Sequence, residues 1–408
     1  MMSERLPPMR TDLEFLPYRH EDRQLVVIRD HLGLVQEGKA LPLGLFRLLS
    51  LLDGQRSMVD LQTLLMRERG GLLVGSDEVE SLIAHLDESY LLNSERFRKR
   101  RDEIVEGFTS MSVRPCSHCG RAYPGEAEGL RSRLGEILSS QDQAGRRFRG
   151  DLKALVAPHI DLSVGQRTYA SAYRELRGAS PTRVVLLGVG HQLTGHLFCI
   201  TEKDFETPLG LVHCDRSSIR KLWDSSGVAI APDDFLHRSE HSIEFQVIFL
   251  QHLLLEDSFE IVPILCGSIQ SAVPEYGREA YLQKAGAFLG TLRGLLEGGA
   301  GETLLVAGVD LSHVGPKFGH EMPAAHLEAR TKAHDQTLLE ALCRLDADAF
   351  WGESGRVRDR YNVCGFSALA SLLEVLPPSR GEVLGYEIWH EEPTQSAVSF
   401  AAMAFREE

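Results

Sequence analysis

No stretch of this 408-residue chain approaches the roughly 20 consecutive apolar residues that a membrane-spanning helix needs. Its opening, Met-Met-Ser-Glu-Arg-Leu-Pro-Pro, lacks the apolar core of a secretory signal. Positive charge is short as well. Lys and Arg number 44 against 58 Asp and Glu, a net charge of −14, which argues against a general nucleic-acid binder. Internal repeats and low-complexity tracts are missing. These absences point to the cytoplasm, where the seven cysteines are expected as thiols with reactive or ligand roles rather than as disulfides. What is present, 43% hydrophobic and 25% charged residues, is the composition of a globular protein long enough for two domains.

The first part of the chain has its own texture. Leu13–Tyr18 and Gln24–Arg29 read as short strands. Leu41–Leu52 reads as an apolar helix stopped at Asp53-Gly54, and Met58–Glu68 and Asp77–Ser89 read as amphipathic helices. This predicts a small winged-helix-like α+β module over residues 1–95. A charged stretch, residues 96–112, reads as a solvated linker helix. From residue 113 to 408, strands alternate with helices, predicting one α/β domain.

Within that domain three apolar runs each end in histidine: Leu152 to His159, Val184 to His191, and Thr303 to His313. Apolar β-branched runs closed by Gly or Pro are the pattern of buried parallel strands, and ligands bind past the carboxyl ends of such strands. Imidazole is a common ligand for iron, copper and zinc and a common general base near neutral pH. Three strands delivering imidazoles to one rim therefore predict a metal or acid–base site. Taken singly, each residue has an ordinary alternative. His159, after Pro158, is equally a turn histidine bonding its own backbone. Asp310 is either the orienting partner of a histidine such as His313 or a helix N-cap. Gly188-Val-Gly190 before His191 is only a fragment of a dinucleotide fingerprint.

Three further segments carry chemistry. Glu240 and Glu244 open an apolar helix running to about Leu255, where helix-dipole compensation alone explains carboxylates. Cys364 precedes the apolar helix Ala368–Leu376, a place that lowers a thiol pKa, unless it is a buried inert cysteine. Cys116-Ser-His-Cys119 is half a zinc knuckle without its second half, so a structural zinc is not expected there.

Taken in order, Arg114–Pro124, Ala157-Pro-His-Ile, Leu187–His191, Glu240–Glu244, Val309–His313, Asn362-Val-Cys-Gly and Ala397–Ala402 resemble the Memo family, whose bacterial members are called AmmeMemoRadiSam system protein B. The resemblance implies a fold like class III extradiol dioxygenases, a mixed sheet between helical layers with a non-haem metal pocket. It implies His159, His191 and Cys364 as metal ligands, with Cys364 standing where the dioxygenases have a carboxylate. A two-His, one-Cys set suits Fe(II) or copper. It implies His313 as the acid–base histidine with Asp310 fixing its tautomer, and His118, His241, Glu240 and Glu244 around the pocket. Ile160 and Asp161 replace the Ala and Gly usual after the first histidine and alter the pocket wall.

Residues 1–95 resemble a PqqD-type peptide-recognition module, through Leu41–Leu52, the following Asp53–Gln62 and the closing Leu86–Leu92. Such modules take a peptide as an added strand. The functional expectation is a metal-dependent, oxidoreductase-like component of a radical-SAM-associated system, with a radical-SAM protein and a peptide as partners and no role for nucleic acid or membrane. The alternative is a non-catalytic protein that binds a peptide or phosphate group in the same pocket.

Overall fold

The computed structural model describes residues 5–20, 23–36, 38–139, 150–225, 227–254, 258–273, 275–297 and 303–407. Residues 1–4 of the opening and Leu255 lie outside them. The chain divides into two compact units, Met1–Ser110 and Met111–Glu408. No helix among the described residues is long and apolar enough to cross a membrane.

In the first unit, Leu13–His20, Arg23–Asp30 and Ala40–Pro42 form an antiparallel sheet in that order, with Phe15 opposite Ile28. Helices Leu43–Ser50, Met58–Glu68, Ser76–Glu88 and Glu95–Thr109 follow. The apolar run expected as one helix from Leu41 starts as a strand, because Leu41 pairs with Val26 before Pro42 opens the helix. Ser57 and Asp60 close a capping box at the second helix. Leu13, Ile28, Leu49, Leu61, Val79 and Leu86 share one core. The segment 96–112, read from sequence as a linker, forms most of the helix Glu95–Thr109; this helix belongs to the first unit and buries Phe97 and Phe108.

The second unit is built on an eight-stranded mixed sheet. Its order is His313–Val314, Ser396–Glu407, Leu152–Ala157, Thr303–Gly308, Arg183–Val189, Glu260–Cys266 and Phe198–Ile200, with Ser379–Glu391 paired to Ser396–Glu407. The four strands from Leu152–Ala157 to Glu260–Cys266 are parallel, and the outer ones antiparallel. From Val184 through Val189 and from Thr303 through Gly308 every residue is buried. Helices therefore cover both faces; His241–Leu253 and Phe366–Val375 each pack on these two strands.

Register aligns the strand ends. Gly308 lies opposite both Ala157 and Gly188. The residues just beyond these positions, His159, Asp310 and His191, consequently leave the sheet at one rim. Two glycines let the helix His241–Leu253 approach that rim. A Cβ on Gly188 would lie 2.6 Å from Ile243 Cγ1 and Ser242 Oγ, and one on Gly308 would lie 2.6 Å from the Ser242 carbonyl oxygen. Ser242 Oγ also donates to the Val189 carbonyl at 3.0 Å, stitching helix to strand.

Candidate metal centre

Three side chains meet at this rim. One nitrogen of His159, one of His191 and the sulfur of Cys364 all lie within 4.8 Å of one another. Bonds of about 2.0–2.3 Å to one ion span that spread with small side-chain adjustment. Each ring is aimed by its other nitrogen. His159 Nδ1 donates to the Gly308 carbonyl at 3.0 Å, leaving Nε2 at 3.7 Å from Cys364 Sγ. His191 Nδ1 meets the Glu240 carboxylate at 3.0 and 3.1 Å. A carbonyl and a carboxylate behind two imidazoles are the partners that metal-bound histidines carry. The donor set, two imidazole nitrogens and one sulfur, therefore fits a soft or borderline ion such as Fe(II) or copper.

Glu240 is the N-cap of the helix His241–Leu253, accepting from the N–H groups of His241 and Ser242. The helix-opening position read from the sequence is its place in the fold, and the same carboxylate also reaches His191. It also faces His241 Nδ1 at 3.2 Å, so one carboxylate sits between two imidazoles whose rings stack with centroids 5.1 Å apart. His191, Glu240 and His241 form a second close group of donor atoms. Burial pushes the Glu240 carboxyl up, but His191 and His241 outweigh it and hold it well below the usual carboxylate range. His191 shows the reciprocal effect. Its ring lies in a recess that disfavours charge, yet the Glu240 carboxylate holds it well above the ordinary imidazole range. A metal ion would have to displace a proton to bind this ring. His159 is different: burial, with His191 and His241 nearby, keeps it neutral and well below the ordinary range.

Asp310 accepts the His159 N–H at 3.0 Å. It caps no helix, since the chain runs on outside any helix to the short strand His313–Val314, with Leu311 and Ser312 bonded to the backbone of Ser399. Burial raises its carboxyl to about 6. The expectation that Asp310 fixes the His313 tautomer needs correction, because His313 Nδ1 bonds the Leu311 carbonyl at 3.0 Å instead. Burial lowers His313 to about 4, against the raising effect of Asp310. Its imidazole is therefore neutral at pH 7, with Nδ1–H donating to the carbonyl. Cys364 also departs from expectation. The helix begins at Phe366, and burial pushes the thiol up rather than down, with the His191 hydrogen bond opposing. Burial here exceeds the help of a helix N-terminus.

Glu244 does not face the rim. Its side chain is fully buried, ion-paired to Arg114 at 2.7 Å and bonded by Ser117 Oγ, the His118 N–H and the Tyr123 hydroxyl. It clamps the loop that carries His118, whose ring lies edge-on to His241 at 5.7 Å. Arg114 and Tyr123 stand within the motif Arg114–Pro124, but nothing in the sequence marks them as anchors more than 120 positions from their partner. In the same loop Cys116 and Cys119 form a disulfide, so two of the seven cysteines depart from the expected thiols. Asp161 is exposed and accepts from the Ser163 N–H at 2.7 Å, capping the next turn.

A family model described as Memo-like protein matches residues 114–404. A MEMO1 family protein of Aquifex aeolicus is 31% identical over 379 residues, covering 93% of this chain and 95% of the relative. One from Thermus thermophilus is 29% identical over 332 residues, 81% of this chain and 94% of the relative. One from Nitrosopumilus maritimus is 25% identical over 296 residues, 70% of this chain and 97% of the relative. With the model spanning nearly the whole second unit and the Aquifex match running on into the first, the chain belongs to the Memo-like family.

Proposed function

We propose that the protein is a mononuclear metal protein, with His159, His191 and Cys364 as ligands, and that it acts as an oxidoreductase-like component on a peptide or small molecule. The observation that carries this reading is the anchoring of both imidazoles through Nδ1, which leaves two ring nitrogens and one sulfur turned towards each other. Bound there, Fe(II) or copper would supply one-electron chemistry. The chain's own part is to hold the site and to move a proton. Glu240 sets the His191 ring, and Asp310 sets the backbone of His159. His313, with Nδ1–H tied to the Leu311 carbonyl, offers Nε2 as the proton acceptor at substrate.

The first unit is proposed as a peptide-recognition module. The support is its sheet, in which Leu13–His20 is an edge strand, the place where a peptide adds as a further strand. A radical-SAM protein as partner is proposed on the motif resemblance, and co-purification from cells tests it.

The deciding experiment compares wild type with His313→Ala for metal content and for oxygen consumption with candidate substrates. The variant should keep its metal and lose roughly 10²–10⁴-fold in turnover, the usual effect of removing a general base. Tight peptide or phosphate binding that ignores a chelator, with no turnover in wild type, would replace this reading by a binding role.

A further inference from the structure

The disulfide in the loop that carries His118 has features of a working couple rather than a fixed staple. We propose that Cys116 and Cys119 form a reversible dithiol–disulfide pair that undergoes thiol–disulfide exchange on either side of His118. The proposal does not depend on a metal being bound.

Only Ser117 and His118 separate the two cysteines, so an opened pair keeps its sulfurs close. The loop also has a hold of its own. Glu244 accepts from the N–H groups of Ser117 and His118, and from Ser117 Oγ, while the Gly120 N–H donates to the Tyr123 carbonyl at 2.8 Å and closes the turn. Breaking the S–S bond therefore leaves the backbone clamped. The reduced state has partners waiting: Glu244 Oε1 lies 3.7 Å from Cys116 Sγ, and the Cys116 carbonyl lies 3.6 Å from Cys119 Sγ. Each thiol formed by reduction has an acceptor close at hand. Both cysteines are half-buried and within reach of a reductant, whereas Cys199, Cys214 and Cys266 are buried. The pair brackets His118, whose ring touches His241.

The step balances with a thiol reductant. A thiolate attacks one sulfur of the pair, forming a mixed disulfide, and a second thiolate resolves it. The reductant becomes a disulfide, and Cys116 and Cys119 each end with one proton, two electrons having moved to the protein.

The full-length protein is equilibrated in buffers of reduced and oxidised dithiothreitol, and separately of reduced and oxidised glutathione, starting from both redox states. Maleimide alkylation and mass spectrometry then count free thiols at each position. Two additional alkylations per chain, at Cys116 and Cys119, reached from both directions, are expected. The Cys116→Ser/Cys119→Ser double variant should show none, with wild-type circular dichroism. Response to dithiothreitol alone assigns a dithiol source, and response to glutathione as well assigns monothiols. A pair that stays closed under both reductants until the protein unfolds, or that never closes under either oxidant, would overturn the proposal.

Discussion

Glu240 receives two backbone N–H groups of its own helix and Nδ1 of His191, so its charge and its position both bear on the site. Replacing Glu240 with Gln keeps an oxygen for the cap and removes the charge behind His191. Metal affinity should fall about 10–100-fold, the usual loss when a ligand histidine loses its supporting partner. Competition titration against a chromophoric chelator measures it, and an unchanged affinity would show that the carboxylate does not tune the ligand. At this scale the sequence was informative about residue types and silent about their partners. His159, His191 and Cys364 are legible because each follows or precedes a recognisable apolar run. Glu240 and Glu244 are not separable in the sequence, since both sit in a first helical turn where carboxylates are favoured anyway. Only the packing turns Glu240 to the imidazoles and Glu244 to Arg114. The Leu311 carbonyl that holds His313 is invisible for a simpler reason: every residue has a carbonyl.

The strands Leu152–Ala157, Arg183–Val189 and Thr303–Gly308 bring the site together because they are parallel, adjacent and in register at their ends. Their apolar runs are plain in the sequence. Their order is not, because nothing local makes the last parallel strand, Thr303–Gly308, lie between the first two. The hairpin of Ser379–Glu391 and Ser396–Glu407 is similarly hidden; its second strand reads as a buried run, yet it separates Leu152–Ala157 from His313–Val314. The helix His241–Leu253 completes the rim only while Gly188 and Gly308 stay small. Gly308→Ala would press a methyl group against the Ser242 carbonyl and the Gln246 amide. Overpacking of this kind costs about 1–3 kcal/mol, and the shift it forces would carry Glu240 away from His191. Urea unfolding should show the loss of stability, and chelator competition a parallel loss of affinity. Full affinity in a destabilised variant would mean that the helix position does not govern the site.

At the scale of the whole molecule, two units with separate cores predict two separable foldings. Residues 1–110 should fold alone, with a single urea transition. Their acid response should centre on Asp30, which takes the Arg10 guanidinium at 2.7 Å and the N–H groups of Leu32, Leu34 and Val35. Burial pushes its carboxyl up, but Arg10 and these N–H groups outweigh it and hold it below the usual range. A lowered folded value means that the stabilisation is present above the ordinary Asp value of about 4 and is lost as pH falls through the folded one. Asp30→Asn should therefore be less stable than wild type at pH 7 and lose less on acidification. Urea midpoints at neutral and acid pH check this, and parallel pH profiles would contradict it.

The central claim is that one ion is held by His159, His191 and Cys364. Its most direct test is elemental analysis of protein purified without oxygen, with iron and copper supplied, alongside His159→Ala, Cys364→Ser and His313→Ala. The account predicts close to one iron or copper per wild-type chain, little in the first two variants, and the wild-type amount in His313→Ala. Stoichiometric metal persisting in both His159→Ala and Cys364→Ser, or none in wild type, would contradict it.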